Sequence, residues 1–339
     1  MKYWDINEVV TKQRLFNFIN SIRNIGKTYT TQKFLINQGL KKGKQSIYLQ
    51  RTDYDRTHFP LSKVFSKVIL REFPDREFTI SRDCICDSEV GPIVWSVALS
   101  QVQKLKRIGF PKADYLLFDE YQIESGTGEY LTGWNEPNLF INLYHTIDRE
   151  ELRLKCFLLG NDISFYNPYH SHPFFGIPSN PDVIKHKGIW MNKLTLFQMA
   201  SPSDELRKEK DDNPFLQALS GTQYGQYADK GVYLDDDYSG IGKVNSTARY
   251  ICTLECEGMY FGLYNNWDDM NLVITDTPNM SCKSTYSLTR DGAKNGIPYV
   301  KTNFKWLYEL LKKYFFNGSI LYVNMQVKTK VYGPLSGMF

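Results

Sequence analysis

Near the start of the chain, Ser21-Ile22-Arg23-Asn24-Ile25-Gly26-Lys27-Thr28 sets a glycine, a lysine and a threonine in direct succession. Those three residue types suit a polyphosphate. Backbone N–H groups of a tight loop, with the positive end of a following helix, cradle α and β phosphates. Here Ser21, Ile22, Asn24, Ile25, Gly26 and Lys27 would build the cradle, the Lys27 ammonium would reach the β and γ phosphates, and the Thr28 hydroxyl would bind Mg²⁺. The usual Walker A pattern, G-x-x-x-x-G-K-[ST], carries glycine where this chain has Ser21. A serine forced to positive φ there would cost about 1 kcal/mol, so either the loop turns differently there or the strain is tolerated. A second set closes the run Tyr115-Leu116-Leu117-Phe118-Asp119-Glu120. Asp119 would hold Mg²⁺ through its water shell, and Glu120 would orient or deprotonate the attacking water. An acidic base beside a phosphate cradle favours hydrolysis over binding alone. ATP and Mg²⁺ are therefore the expected cofactors.

Both sets need a parallel sheet to bring them together. Arg14 to Asn20 alternates apolar and polar residues as a strand, and Lys27 to Leu40 spaces Tyr29, Phe34, Leu35 and Ile36 for a helix. The turn Lys41 to Lys44 leads into a strand over Gln45 to Arg51, completing a βαβ unit. Pro60 to Phe73 reads as a helix stopped by Pro74-Asp75, and Glu77 to Ile80, Ile85 and Pro92 to Leu99 as a small antiparallel insert. The apolar run before Asp119 fits a strand buried on both faces, which places the acids at its carboxyl end, where open α/β sheets bind ligands. Asn135 to Asp148 follows as a helix with Arg149 directly after it, and Arg153 to Asn161 as another buried strand. Asn161 there is either a sensor of the γ phosphate or a turn residue.

At 339 residues the chain is long enough for about two domains at ~150 residues each. The pattern predicts an ATPase domain over 1–201, a partly helical linker over 202–240 with Phe215, Leu216 and Leu219 as anchors, and a C-terminal α+β domain over 241–339. In the last of these, strands are expected over 248–253, 259–265, 271–275, 320–324 and 326–332, with a helix over 303–316. Lys301, Lys305, Lys312, Lys313, Lys328 and Lys330 interleave with Tyr299, Trp306, Tyr308 and Tyr314, which suits nucleic acid as well as a solvated face. The net charge of +4 permits nucleic-acid binding without requiring it. No apolar run approaches the ~20 residues of a membrane span, and the first residues lack the regions of a signal peptide, so a cytosolic protein with no membrane association is expected. Six scattered cysteines form no zinc set, and His170 and His172 read as loop residues.

The chain resembles the genome-packaging ATPases of small protein-primed podoviruses, the phi-twenty-nine type. The resemblance rests on Ile25-Gly26-Lys27 with Arg23 before it, Phe118-Asp119-Glu120, Glu72-Phe73-Pro74-Asp75, the strand ending at Asn161, Asn167-Pro168-Tyr169, and the tract from Asn142-Leu143 to Arg149. It spans nearly the whole chain and implies an α/β P-loop NTPase core of the additional-strand catalytic-glutamate (ASCE) class, similar to RecA and the large terminases. It further implies an RNase H-like vestigial nuclease domain at the C-terminus. Such proteins pump double-stranded DNA through a portal, or connector, into a preformed capsid. They self-associate into a ring, a pentamer by resemblance, in the host cytoplasm and transiently on the portal vertex, which a structural packaging RNA can occupy. By the same resemblance Arg149 is an arginine finger supplied to a neighbour's ATP, a role worth ~10³ to 10⁵ in rate. Arg23 then contacts the γ phosphate in its own subunit, and Lys106 is a second trans-acting basic residue. Two alternatives stand beside this reading. One is a terminase-like motor with a live nuclease, which would need several acids converging on metal, and Asp276, Glu255, Glu257, Asp268 and Asp269 show no such set in sequence. The other is a nucleotide-regulated assembly protein without turnover, against which Glu120 argues.

Overall fold

Phe16–Ser21 (β1) is buried along its whole length, polar positions included. Its Phe16 and Phe18 rings meet Phe140, Tyr144, Phe175 and Phe197 at centroid separations of 4.7 to 6.5 Å, while Ile19, on the opposite face, joins the core under the helix Lys27–Lys42. A strand covered on both sides in this way belongs to the middle of an α/β sheet. The computed structural model describes residues 3–105, 113–124, 129–178, 188–219, 239–279 and 281–339. The chain forms two compact units, Met1–Asp235 and Asp236–Phe339.

In the first unit the described strands are β1, Gln45–Gln50 (β2), Phe78–Ile80 (β3), Cys84–Asp87 (β4), Gly91–Ala98 (β5), Ala113–Asp119 (β6), Lys155–Asn161 (β7), Ile189–Met191 (β8) and Thr195–Met199 (β9). They make one sheet in the order β3-β4-β5-β2-β6-β7-β1-β9-β8. All pairings from β5 to β9 are parallel. β7 therefore lies between β1, which feeds the glycine-lysine-threonine loop, and β6, which carries Asp119 at its end. That inserted strand is the expected ASCE arrangement. The stretch read as a separate antiparallel insert is only partly one. β3 with β4 and β4 with β5 pair antiparallel, as expected, but β5 also pairs parallel with β2 and so joins the main sheet, its Ile93, Val94 and Val97 buried in the core. Helix Asp53–His58, closed by a Thr52/Asp55 capping box, has no counterpart in the sequence reading.

The opening of the expected linker packs on the first unit. Ser203 caps helix Asp204–Asp211 by accepting from Leu206 N at 3.2 Å, Leu206 is buried in the core, and Lys210 Nζ donates to Arg23 O at 2.8 Å. A second helix, Pro214–Leu219, follows with Phe215 exposed. The rest of the linker, 220–238, lies outside the described residues.

In the second unit, Arg249–Cys256 (β10), Met259–Asn266 (β11) and Asn271–Thr275 (β12) form an antiparallel meander. Thr285–Ser287 (β13) joins parallel beside β10, and Ile320–Tyr322 (β14) parallel beside β12. This is the mixed α/β sheet expected of an RNase H-like domain. The segment 326–332, expected as a strand, is instead part of helix Met325–Met338. Val327, Thr329 and Val331 mimic strand alternation, yet Asn324 caps the helix by accepting from Val327 N at 2.9 Å, and Val327, Val331, Leu335 and Met338 are buried at helical spacing. Among the described residues no helix is long and apolar enough to cross a membrane.

Candidate functional site

The loop after β1 turns through two left-handed residues, Asn24 at φ 64° and Gly26 at φ 91°. Ser21 is still strand, paired in register with Asn161 of β7, so the loop turns differently there and no strain falls on Ser21. Gly26 is where a side chain is excluded: its φ is left-handed, and a Cβ would sit 3.0 to 3.2 Å from the Tyr3 side chain. Trp4 N donates to Ile25 O at 3.0 Å and fastens the start of the chain across the loop. Ile25 itself is buried in the core, as is Ile22. Helix Lys27–Lys42 then begins with its first N–H groups facing the loop, the arrangement that favours an anion.

Five side chains converge there. The buried Lys27 amine donates to Ser21 Oγ and, at 3.4 Å, to Asn161 Oδ1. Thr28 Oγ1 donates to Asp119 Oδ1 at 3.2 Å. These hydroxyl and carboxylate oxygens are hard donors that fit Mg²⁺ carrying most of its water. Burial, with Glu120 alongside, pushes Asp119 up to about 6, while burial takes Lys27 down to about 8 against the pull of Asp162 and Asp119. Asp162, directly after Asn161, is a charge partner of Lys27 that the sequence reading missed. Glu120 stands exposed at the β6 end in a left-handed conformation, φ 55°. A cavity of about 710 Å³ runs over Asn24 to Tyr29, Asp119, Glu120 and Asn161, and a neighbouring one of about 780 Å³ shares Arg23, Asp119, Glu120 and Asn161. Arg23, between the two, pairs with Glu124 at 2.9 Å.

Glu120 is held from behind by residues that no motif marked. Arg51, just past β2, sends Nη2 to Tyr121 O at 2.7 Å and Nη1 to Glu120 O at 3.4 Å. Its Nε reaches both oxygens of the fully buried Glu136 at 3.2 and 3.1 Å, and its guanidinium lies over the Phe118 and Tyr130 rings. Glu136 also accepts from Leu131 N at 2.7 Å and Tyr169 Oη at 2.9 Å, which gives Asn167-Pro168-Tyr169 its structural purpose. On the other side the buried Tyr121 hydroxyl meets His170 Nε2. His170 Nδ1 lies 2.8 Å from Phe165 O and must carry the proton there, so Nε2 accepts and Tyr121 donates. Turning the Asn20 amide over would then let its partnerless Nδ2 donate to Tyr121 Oη. Burial lowers His170 to about 3; it sits on a loop as expected, but buried and neutral.

Arg149 is not brought to this site. It caps helix Glu136–Asp148 at φ 50° and lines neither cavity; the helix begins at the site with Glu136 and ends roughly 20 Å away at 1.5 Å per residue. The turn that carries it includes left-handed Glu150 and Leu152 as well. It is tied by the buried Asp148 carboxylate, which accepts from Leu152, Arg153 and Leu154 N at 2.8 to 3.0 Å. Lys106 lies outside the described residues.

Comparisons with known proteins give the family and agree with the fold. Residues 1–336 match the model of the podovirus DNA encapsidation protein (Gp16) family. The DNA packaging protein of Bacillus phage B103 is 29% identical over 326 residues, covering 95% of this chain and 96% of the relative. That of Bacillus phage phi29 is 28% identical over 336 residues, covering 97% and 96%. The crystal structure of the N-terminal domain of the DNA packaging ATPase from bacteriophage phi29 covers 60% of this chain and 98% of its own at 27% identity and a TM-score of 0.52. A chain of the bacteriophage phi29 viral genome packaging motor assembly shares the fold end to end, with full coverage of both, TM-score 0.77 and 23% identity. The chain, an ATPase fold with its polyphosphate loop and acidic strand end in place, belongs to the podovirus DNA encapsidation protein (Gp16) family.

Proposed function

We propose that this chain hydrolyses Mg²⁺-ATP to drive double-stranded DNA through a portal into a preformed capsid, working as a ring of copies on the portal vertex in the host cytoplasm. The observation that carries the reading is the meeting of Thr28 and Asp119 at 3.2 Å, with Lys27, Asn161 and Glu120 around them. In this mechanism Thr28 and Asp119 would hold the metal, which would supply charge neutralisation to the phosphates, and Lys27 with the loop N–H groups would bind the phosphates. Glu120 takes the proton of the attacking water, Asn161 and Arg23 contact the γ phosphate, and Arg149 serves a neighbour's site. A role in trans for Arg149 is supported by its distance from the site of its own chain; Lys106 joins it on family resemblance alone. Grip on DNA would be mainly on phosphates, hence salt-sensitive and indifferent to sequence.

The C-terminal domain is assigned a docking role toward nucleic acid or the vertex, including a packaging RNA, and no nuclease activity. Its acids are dispersed: Glu255 is buried and accepts from Gly258 N, Asp276 accepts from Asn324, and Asp268 and Asp269 accept from Thr247 and Asn245. The test is ATP hydrolysis, with and without double-stranded DNA, by wild type, Arg149→Ala, Glu120→Gln and a mixture of the two variants. Turnover that returns in the mixture and rises with DNA fits the proposal. A mixture that stays inactive under assembling conditions rules out Arg149 as the trans group.

A further inference from the structure

The cavity over the loop is lined by two sets of residues: Asp119, Glu120 and Asn161, and Tyr3, Tyr29, Lys67, Arg71 and Glu72. Phosphate and metal chemistry uses only the first. The nucleoside of the same ligand needs a flat apolar surface at the second. The Tyr29 hydroxyl donates to Glu72 at 2.6 Å. Tyr3 is 47% exposed, and its side chain lies against Gly26, within 3.0 Å of where a Cβ on that glycine would be. Its position is fixed by its neighbour: Trp4 is buried, its backbone N bonds to Ile25 O at 3.0 Å, and its indole donates to Gln198 Oε1 at 3.2 Å, across the sheet on β9. A residue outside any nucleotide motif is thus fastened against the phosphate loop, where it lines the cavity.

We propose that Tyr3 is the base-binding residue of the site, the nucleobase of the triphosphate stacking on its ring. The inference rests on the ATP reading of the loop. Stacking uses the π face that every base has, so Tyr3 gives affinity without choosing adenine over guanine. The test is calorimetric titration of the full chain, as wild type, Tyr3→Ala and Tyr3→Phe, with the magnesium complexes of ATP, GTP and inorganic tripolyphosphate. Tyr3→Ala is expected to weaken ATP and GTP alike by about five- to a hundredfold and to leave tripolyphosphate unchanged, with Tyr3→Phe close to wild type. ATP binding unchanged in Tyr3→Ala overturns the inference and spares the ATP reading. Loss of tripolyphosphate together with ATP also overturns it, since Tyr3 would then only shape the loop. Wild type that binds neither ATP nor tripolyphosphate removes the ATP reading itself.

Discussion

The two units use carboxylates in opposite ways. In the first, Asp119 and Glu120 stand at a strand end beside a lysine, a hydroxyl and an amide that all point into one cavity. In the second, Glu255 is sealed on β10 under Gly292, where a Cβ would come within 2.0 Å of its Oε2, and its register partner on β13 is Ser287 rather than another acid. Both sheets can carry acids at neighbouring positions. What differs is convergence, and convergence comes from strand order. Interposing β7 between β1 and β6 stacks three strand ends that each donate a polar group, whereas the meander of the second unit spreads its acids among turns and a buried wall.

The largest expected effect tests that contrast directly. Glu120→Gln should lower ATP turnover by a factor of ~10² to 10⁴, the usual contribution of a general base, while Glu255→Gln and Asp276→Asn leave it within about twofold. A comparable loss from either substitution in the second unit would break the comparison. Next comes the support behind Glu120. Arg51→Met strands the buried Glu136 carboxylate and should destabilise by about 3 to 5 kcal/mol. In calorimetry the transition of the first unit should fall and that of the second stay put; a shift of both would mean that the units melt as one.

Tyr121→Phe should cost about 1 to 3 kcal/mol by leaving His170 Nε2 without its donor, and should lower kcat more than it raises KM for ATP. The smallest effect is in pH. Burial, with Glu120 alongside, pushes Asp119 up to about 6, and on the proposed reading it would bind metal only as the carboxylate, so Mg²⁺-dependent ATP binding should weaken as pH falls through about 6. Asp119→Asn should bind weakly at all pH values without that step, and a step that survives the substitution would assign it to another group.

Much of the first unit was legible because its elements obey simple periods. The loop, the apolar run before Asp119 and the strand to Asn161 are local patterns, and each fell on the element expected. The support residues were not legible for a physical reason. Arg51, Glu136 and His170 acquire their roles only by meeting across 33 to 85 positions of sequence, and nothing about a lone arginine after a strand or a glutamate before Pro137 marks burial. The helix at 325–338 was misread because β-branched residues at alternate positions look like a strand until the Asn324 cap is seen. Ser21 teaches the converse: a departure from a motif looked costly, and the strain moved to Asn24 instead.

Helix Glu136–Asp148 has one end in the grip of Arg51, hence of the backbone at Glu120, and the other under Arg149. On the proposed reading, a subunit built on such a strut would have a listening end and a speaking end. Closed into a ring, each copy would register its own nucleotide at the first and address a single neighbour through the second. The sequence of firing would then acquire a sense of rotation from the lone chain, before any portal or DNA is present to impose one.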